Sequence, residues 1–450
     1  MVHGSVKEWL ERIRTAGVVG AGGGGFPTHV KYAAQVEVVI GNGAECEPLA
    51  RVDQQRMASK PREVLRGLQI AMEITGARRG IVALKKKYAP AIDALGEAIK
   101  LGNIGEKIEL RLLDDFYPAG DEFVLVREVL DRVIPEFGLP LAVGAVVSNV
   151  STLIDVAAAV DGRQPVTHRY VSLAGAVGSP ATFRVPLGTP LSALLEAAGG
   201  AACESAVVIS GGPMMGSIVD ESSSVVTKTT SLMLVLPADH PQVTRRRRTV
   251  ERQIHLARSA CLKCMLCTEI CPRNLLGHRL YPDRLMRNLA ASVSEDLQAY
   301  TGAFLCSGCG LCTAYGCVMN LDPCAMNKEF VGRLTEAGMP RPQPAVTSAE
   351  REFSPLRRVP SKRLIARLGL DAYDRPAPRA AFEIELTRLT IPLKQHAGQP
   401  AQAVVEAGQN VAAGELLGEV PGDALGACVH TGLAGRVAEV SPTAVTIDVE

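Results

Sequence analysis

Through roughly the first 160 residues, short apolar runs alternate with longer amphipathic stretches, and glycine or proline punctuates the joins. Residues 36–40, 80–84 and 108–113 read as strands, and residues 62–75 and 89–101 carry a helical period between them. That alternation predicts an α/β domain with a largely parallel sheet. Ahead of it, Val6, Trp9, Leu10 and Ile13 fall at helical spacing, which predicts a short amphipathic docking helix, the alternative being a helix that targets the chain to an assembly. The longest apolar run, 139–147, is broken by Pro140 and Gly144 and suits a buried strand. No run approaches the roughly 18 apolar residues of a membrane span, and the N-terminus has no apolar stretch of the kind a secretory signal needs.

Further along, the pattern changes. Strands at 169–174, 182–186 and 206–211 with one helix at 190–199 predict a small α+β module. Residues 245–335 set cysteines among helical stretches such as 249–259 and 295–304, and 340–379 is rich in proline and arginine, mostly linker with one helix near 362–368. From 381 onward, short strands and glycine turns predict a small β-sandwich like the lipoyl-carrier modules, but the HTGLAGR turn has no lysine to carry a lipoyl group. The fold class expected is multidomain α/β and α+β, divided as 1–162, 163–240, 245–335, a 340–380 linker and 381–450.

Composition narrows the function. Hydrophobic residues make up 47% of the 450, aromatics 4%, and there are 43 glycines, a globular and loop-rich balance. A formal charge of +1 gives no broad field for nucleic acid or anionic lipid. The one basic run, residues 245–248, reads as a solvated linker.

Eight of the 12 cysteines fall in two tight motifs, Cys261-x2-Cys264-x2-Cys267-x3-Cys271-Pro272 and Cys306-x2-Cys309-x2-Cys312-x4-Cys317. With no export signal, metal ligation in a reducing compartment is favoured over disulfides. Zinc knuckles usually pair two-cysteine units across a long gap, whereas three cysteines at two-residue gaps wrap one face of a cubane and the fourth ligand comes from the other motif. That rule gives two [4Fe-4S] clusters, one on Cys261, Cys264, Cys267 and Cys317, the other on Cys306, Cys309, Cys312 and Cys271. The second motif has four residues before its last cysteine and Val318 in place of proline, so Cys324 is a rival to Cys317. Cys46, Cys203 and Cys428 are isolated and read as inert small residues.

Residues 17–31, GVVGAGGGGFPTHVK, put four glycines where backbone N–H groups can face a phosphate. Downstream, IGNGAECEPLARVDQQ runs a strand into Asn42, Glu45 and Glu47, at the strand end where α/β domains place ligand contacts.

The phrases GGGGFPTHVK, NGAECEP, YPAGDE, VVSNVST and GGPMMG, in this order, resemble the family of the Rnf-complex C subunit, and more distantly the NADH- and FMN-binding subunit of respiratory complex I. A sandwich that follows the cysteine region and opens with LKQHAGQP, together with VDQQ, PRNLLGH and GALGACVH, is similar to the cobalamin-reductase branch of propanediol-utilisation microcompartments. The resemblance spans essentially the whole chain. It implies a non-covalent FMN on the first domain, NADH as substrate, and a β-grasp soluble-ligand-binding module at about 165–235. It also implies that Gly22, Gly23, Gly24, Gly25 and Lys31 hold the FMN phosphate, with Phe26 alongside. Asn42, Glu45 and Glu47 would lie near the ribityl chain, isoalloxazine and nicotinamide, the two glutamates as catalytic residues, and Tyr117, Gly120, Asp121, Glu122, Asn149 and Thr152 would complete the pocket. Ala21 and Ala44 replace an arginine and an aspartate of the complex I pattern, which bears on how tightly NADH is held.

The implied activity passes electrons from NADH through FMN and two clusters to cobalamin, in the cytoplasm within a microcompartment, with a cobalamin adenosyltransferase and shell proteins as partners. The alternatives are an Rnf C-like protein serving another acceptor and a non-catalytic electron-wire protein. No Asp-x-His-x-x-Gly phrase for base-off corrinoid binding occurs, and His396 and His430 read as structural.

Overall fold

The computed structural model describes residues 5–291, 300–344, 349–422 and 424–450. Helix α1 (Val6–Thr15), capped by the Ser5 hydroxyl, buries Trp9 and Ile13, while Val6 stays exposed, so the docking face is narrower than its spacing suggested. After α2 (Thr28–Tyr32) come β1 (Val38–Gly43), α3 (Val52–Ser59), α4 (Pro61–Thr75), β2 (Arg79–Lys85), α5 (Ala89–Leu101), β3 (Ile108–Leu113), the short β4 (Phe116–Tyr117), α6 (Glu122–Leu130), β5 (Ala145–Asn149) and α7 (Val150–Asp161). The main sheet runs β3-β2-β1-β5 with every neighbour parallel. All four strands therefore end on one edge, and Asn42 of β1 lies beside Asn149 of β5 there.

Residues 139–147 do not form one strand. Pro140 opens a single 3-10 turn that ends at Gly144 in the left-handed region, and β5 begins only at Ala145, leaving Leu139 and Leu141 exposed. Proline has no N–H for a ladder, so the break at Pro140 and Gly144 confines the buried strand to the second half of the run.

The second module is a five-stranded mixed sheet in the order β7 (Ala181–Pro186), β6 (His168–Gly175), β10 (Leu232–Pro237), β8 (Ala206–Ser210), β9 (Ser217–Val219), with α8 (Leu191–Ala197) supplying Leu191 and Leu194 to its core. The parallel pair β6–β10 at its centre is the β-grasp pattern. In the cysteine region, helices Val250–Ala260, Pro282–Ala291 and Pro323–Glu336 share a core of Leu285, Met286, Met326 and Phe330. The first half of the helix expected at 295–304 lies outside the described residues; its described half is helical at 300–301 and continues as a 3-10 turn, Gly302–Leu305.

The proline- and arginine-rich stretch is a strap rather than a loose linker. Val359–Pro360 pairs antiparallel with β4, Leu364, Leu368 and Leu370 are buried, and Ser361 shares the buried Lys85 ammonium with Asp115. The C-terminal module stacks a four-stranded sheet on a three-stranded one around Leu389, Ile391, Leu417, Val429, Val445 and Ile447.

Helices α4 and α7 cross closely because Gly67 has no side chain: a Cβ there would lie 1.9 Å from Leu153 O. Gly67→Ala should cost about 1–3 kcal/mol through overpacking. Gly96→Ala, where a Cβ meets nothing within 4 Å, should instead stabilise α5 by about 0.5–1 kcal/mol. Chemical denaturation of the two variants checks the contrast.

Candidate functional site

The glycine loop leaves the strand-like Val19, which bridges Pro27, and closes on itself through Gly20 N–H to Phe26 O and Gly25 N–H to Gly20 O. Ala21 N–H donates to Thr152 Oγ1 at 2.9 Å, anchoring the loop at the start of α7. Gly22 lies against the Asn149 side chain, whereas a Cβ on Gly23 or Gly24 would meet open space. The loop thus offers an open backbone cradle at the N-terminal end of α7, the arrangement that suits a phosphate. Phe26 stands partly exposed at its rim. Lys31, on α2, reaches Val147 O at 3.0 Å and Glu122 Oε1 at 3.3 Å.

At the sheet edge, Asn42 Nδ2 donates to Gly120 O at 3.0 Å while its Oδ1 accepts from Ala44 N–H. Asn149 caps α7 and donates to Asp53 at 2.7 Å, and Ser151 Oγ donates to the other Asp53 oxygen at 2.8 Å. Gly22, Lys31, Asn42, Gly120, Glu122, Asn149 and Thr152 therefore converge on one cleft. Asp53 belongs to it too, although the sequence marks it only as part of the VDQQ phrase.

Glu45 accepts from Asp53 N–H at 3.1 Å, and its Oε2 is buried with no hydrogen-bond partner. An orphaned carboxylate oxygen of this kind fits a group that a bound ligand completes. Burial, and then the Asp53 charge, push the Glu45 carboxyl up to about 7. Glu47 is likewise raised to about 7 by burial, against the N–H groups of Met214 and Met215, which it accepts at 2.6 and 3.4 Å. Those N–H groups come from GGPMMG. Gly212, at φ 95°, is needed there because a Cβ would lie 2.4 Å from Glu47 Cγ. Arg246 holds the same loop by donating to Gly216 O and Pro213 O. The basic run is thus not a solvated linker, since loop carbonyls that the sequence does not reveal take up its second arginine. Between the glutamates, burial raises the Cys46 thiol to about 11, as suits an inert residue.

Tyr117 and Asp121 face away from the glycine loop. The buried Tyr117 hydroxyl donates to Cys309 O at 2.6 Å. Asp121 caps α6 and receives two N–H groups of Arg273, the residue after Cys271-Pro272, whose guanidinium lies 3.9 Å over the Phe123 ring. The YPAGDE phrase therefore divides, with Gly120 and Glu122 on the cleft and Tyr117 and Asp121 on the cysteines. A separate pocket, lined by Phe116, Tyr117 and Arg358 among others, lies under the strap and includes none of the glycine-loop residues.

The cysteines form two groups. Cys267 and Cys317 lie close to Cys261 and Cys264, and Leu321 N–H donates to Cys317 Sγ at 3.4 Å. Cys271, Cys306, Cys309 and Cys312 line one cavity, where Gly308 N–H donates to Cys306 Sγ at 3.3 Å. Cys264 is exposed, whereas Cys271, Cys309 and Cys312 are buried, so the first group is outer and the second inner. Among the described residues no three His, Cys, Asp or Glu side chains close around a single ion. Four thiols in each group, with an N–H on a sulfur in both, are a donor set that fits a cluster. Cys324, considered from sequence as a rival to Cys317, lies at the inner cavity instead. In the sandwich, His396 Nε2 is within hydrogen-bond distance of Gln399 O and Ala427 N, and burial lowers His430 to about 3, both structural placements.

Four families match the chain in this order: the Nuo51 FMN-binding domain over residues 13–158, the SLBB domain over 170–217, the 4Fe-4S dicluster domain over 260–322 and the RnfC barrel sandwich hybrid domain over 381–449. The C subunit of a proton-translocating ferredoxin:NAD(+) oxidoreductase complex of Clostridium ljungdahlii is 38% identical over 200 residues, 43% of each chain. Cobalamin reductase PduS of Citrobacter freundii is 40% identical over 97% of this chain and 95% of its own. Its counterpart in Salmonella typhimurium is 42% identical over 443 residues, 98% of this chain and 97% of its own. With identity of that order along nearly the full length of both chains, and with a flavin-type cleft set beside two groups of thiols, the chain belongs to the PduS cobalamin reductase family.

Proposed function

We propose that the chain is an NADH-dependent oxidoreductase that uses FMN and two [4Fe-4S] clusters to reduce cobalamin. The single observation that carries this reading is the common wall between the cleft and the inner cysteines. Tyr117 bonds Cys309 O on one side of it, and on the other Glu47 holds Met214, whose carbonyl lies against Gly310. When bound, FMN accepts a hydride and releases electrons singly, and a cluster carries one at a time.

Gly22, Gly23 and Gly24 would present backbone N–H groups to the FMN phosphate, Gly25, whose own N–H closes the loop on Gly20 O, would shape the turn, and Lys31 would supply positive charge nearby. Asn42, Gly120, Glu122, Asn149 and Thr152 shape the rest of the cleft, and Tyr117 and Asp121 fix its back wall to the inner cysteines. Glu45 and Glu47, both poised near neutrality, hold or release a proton where charge changes during reduction. Cys271, Cys306, Cys309 and Cys312 are the ligands on the cleft side, and Cys261, Cys264, Cys267 and Cys317 those on the solvent side. Electrons leave at the outer group, where Cys264 is exposed and Leu262, Met265, Val318 and Met319 stand open to a large, methyl-rich substrate such as a corrinoid.

Likeness to the PduS proteins over nearly the whole chain supports cobalamin as acceptor. The same likeness supports cytoplasmic placement in a microcompartment, with shell proteins and a cobalamin adenosyltransferase as partners. Among the described residues no helix is long and apolar enough to cross a membrane.

Protein purified anaerobically should hold about one FMN and about eight irons per chain. NADH should bleach the flavin and cluster absorbance, and added cob(III)alamin or cob(II)alamin should restore it. Clusters left oxidised by NADH would remove the dehydrogenase reading; reduced clusters with unreacted cobalamin would remove the acceptor.

Glu47 also predicts a pH dependence. Its carboxyl is raised from 4.5 to about 7 in the fold, so folding takes up a proton between those values. Its contribution to stability is fully present below pH 4.5 and lost as pH rises through 7. Glu47→Gln keeps an oxygen for Met214 N–H and escapes that loss. The variant should melt above the wild type at about pH 8 and converge with it near about pH 5 in thermal unfolding.

A further inference from the structure

The inner cavity has one thiol more than a cubane can use. Cys324 lines it together with Cys271, Cys306, Cys309 and Cys312. Its sulfur is within hydrogen-bond reach of both Cys306 and Cys312, and it is almost fully buried. The position is held from two directions. Cys324 N–H donates to Thr313 Oγ1 at 3.1 Å, and that hydroxyl donates to Asp322 Oδ1 at 2.6 Å. Asp322 in turn caps the helix Pro323–Glu336, whose second residue is Cys324.

Two facts put Cys271 rather than Cys324 on iron. Cys271 ends its motif with the Cys-Pro pair and meets the rule that two-cluster domains exchange their fourth ligands. The 4Fe-4S dicluster match covers 260–322, which includes Cys271 and stops short of Cys324. With iron on Cys306 and Cys312 those sulfurs would carry no proton, and in the trio they form with Cys324 the hydrogen would then belong to Cys324.

We propose that Cys324 is a non-coordinating fifth thiol whose S–H donates to the cluster sulfurs of Cys306 and Cys312 and raises the reduction potential of the inner cluster. The sign follows from charge: reduction adds an electron to the cluster and its thiolates, and a donor aimed at those sulfurs stabilises the more negative state. A raised potential at the cluster beside the flavin-type cleft draws electrons out of the cleft. The inference rests on the ligand assignment proposed above, and its test separates the two.

Redox titration of the holoprotein followed by EPR, with iron analysis, tests it in three variants. Cys324→Ala should keep about eight irons and make the inner cluster roughly tenfold harder to reduce, about 59 mV for one electron, with the outer cluster unmoved. Cys324→Ser, which retains a hydroxyl donor, should fall between the alanine variant and the wild type. Cys271→Ala should lose the inner cluster, leaving about four irons. Loss of iron from Cys324→Ala, or retention of the inner cluster in Cys271→Ala, would overturn the proposal by making Cys324 a ligand. An inner potential unchanged in Cys324→Ala would overturn it with the ligand assignment intact. Wild-type protein that binds no iron would overturn both.

Discussion

Around the bond from the Tyr117 hydroxyl to Cys309 O, two domains with different chemistry are held at a fixed separation. Beside it, Asp121 and Arg273 form an ion pair in which both side chains are about nine-tenths buried. A pair so enclosed adds little stability over apolar packing, but removing one partner costs about 3–5 kcal/mol because a bare charge is left behind. Such a contact specifies position, and position is what electron transfer between a cleft and a cluster requires. The strap reinforces it from outside: Val359 pairs with Tyr117 and Arg358 reaches Glu128.

The glycine loop is braced from the opposite side. Ala397 N–H of the C-terminal sandwich donates to Gly25 O at 2.9 Å, and Gly25 is packed against His396 and Thr229. Nearby, the fully buried Lys228 ammonium donates to Gly17 O and Cys428 O, joining the first domain, the β-grasp module and the sandwich at one point. With only carbonyls as its hydrogen-bond acceptors, burial and then the Arg169 charge lower Lys228 to about 7. The sandwich, which carries no lipoyl lysine, thus acts as a clamp that sets the shape of the cradle.

What the sequence made legible and what it did not follow one division. Helix α5 and strand β3 match their predicted spans residue for residue, because each is a strong periodic segment whose partners are nearby in sequence. The cleft residues were legible as phrases, since glycine, asparagine and glutamate at a strand end carry meaning by themselves. The failures are tertiary. Arg246 looked solvated because its acceptors, Pro213 O and Gly216 O, are backbone atoms of a distant loop. The strap looked loose because its partner strand is only two residues long. Cys324 was set against Cys317 by nearness in sequence, whereas the fold carries it to Cys306 and Cys312. Asp121 was grouped with the cleft by its neighbours, and only the fold shows Arg273 turning it toward the cysteines.

The central claim is one of order: electrons enter at the cysteines beside the cleft and leave at those beside solvent. It is tested most directly in a Cys264→Ala, Cys267→Ala protein, stripped of the outer cluster and mixed anaerobically with NADH under EPR observation. The account predicts that the inner cluster is still reduced by NADH while cobalamin reduction is lost. An inner cluster that stays oxidised, or cobalamin reduced at the wild-type rate, would contradict it.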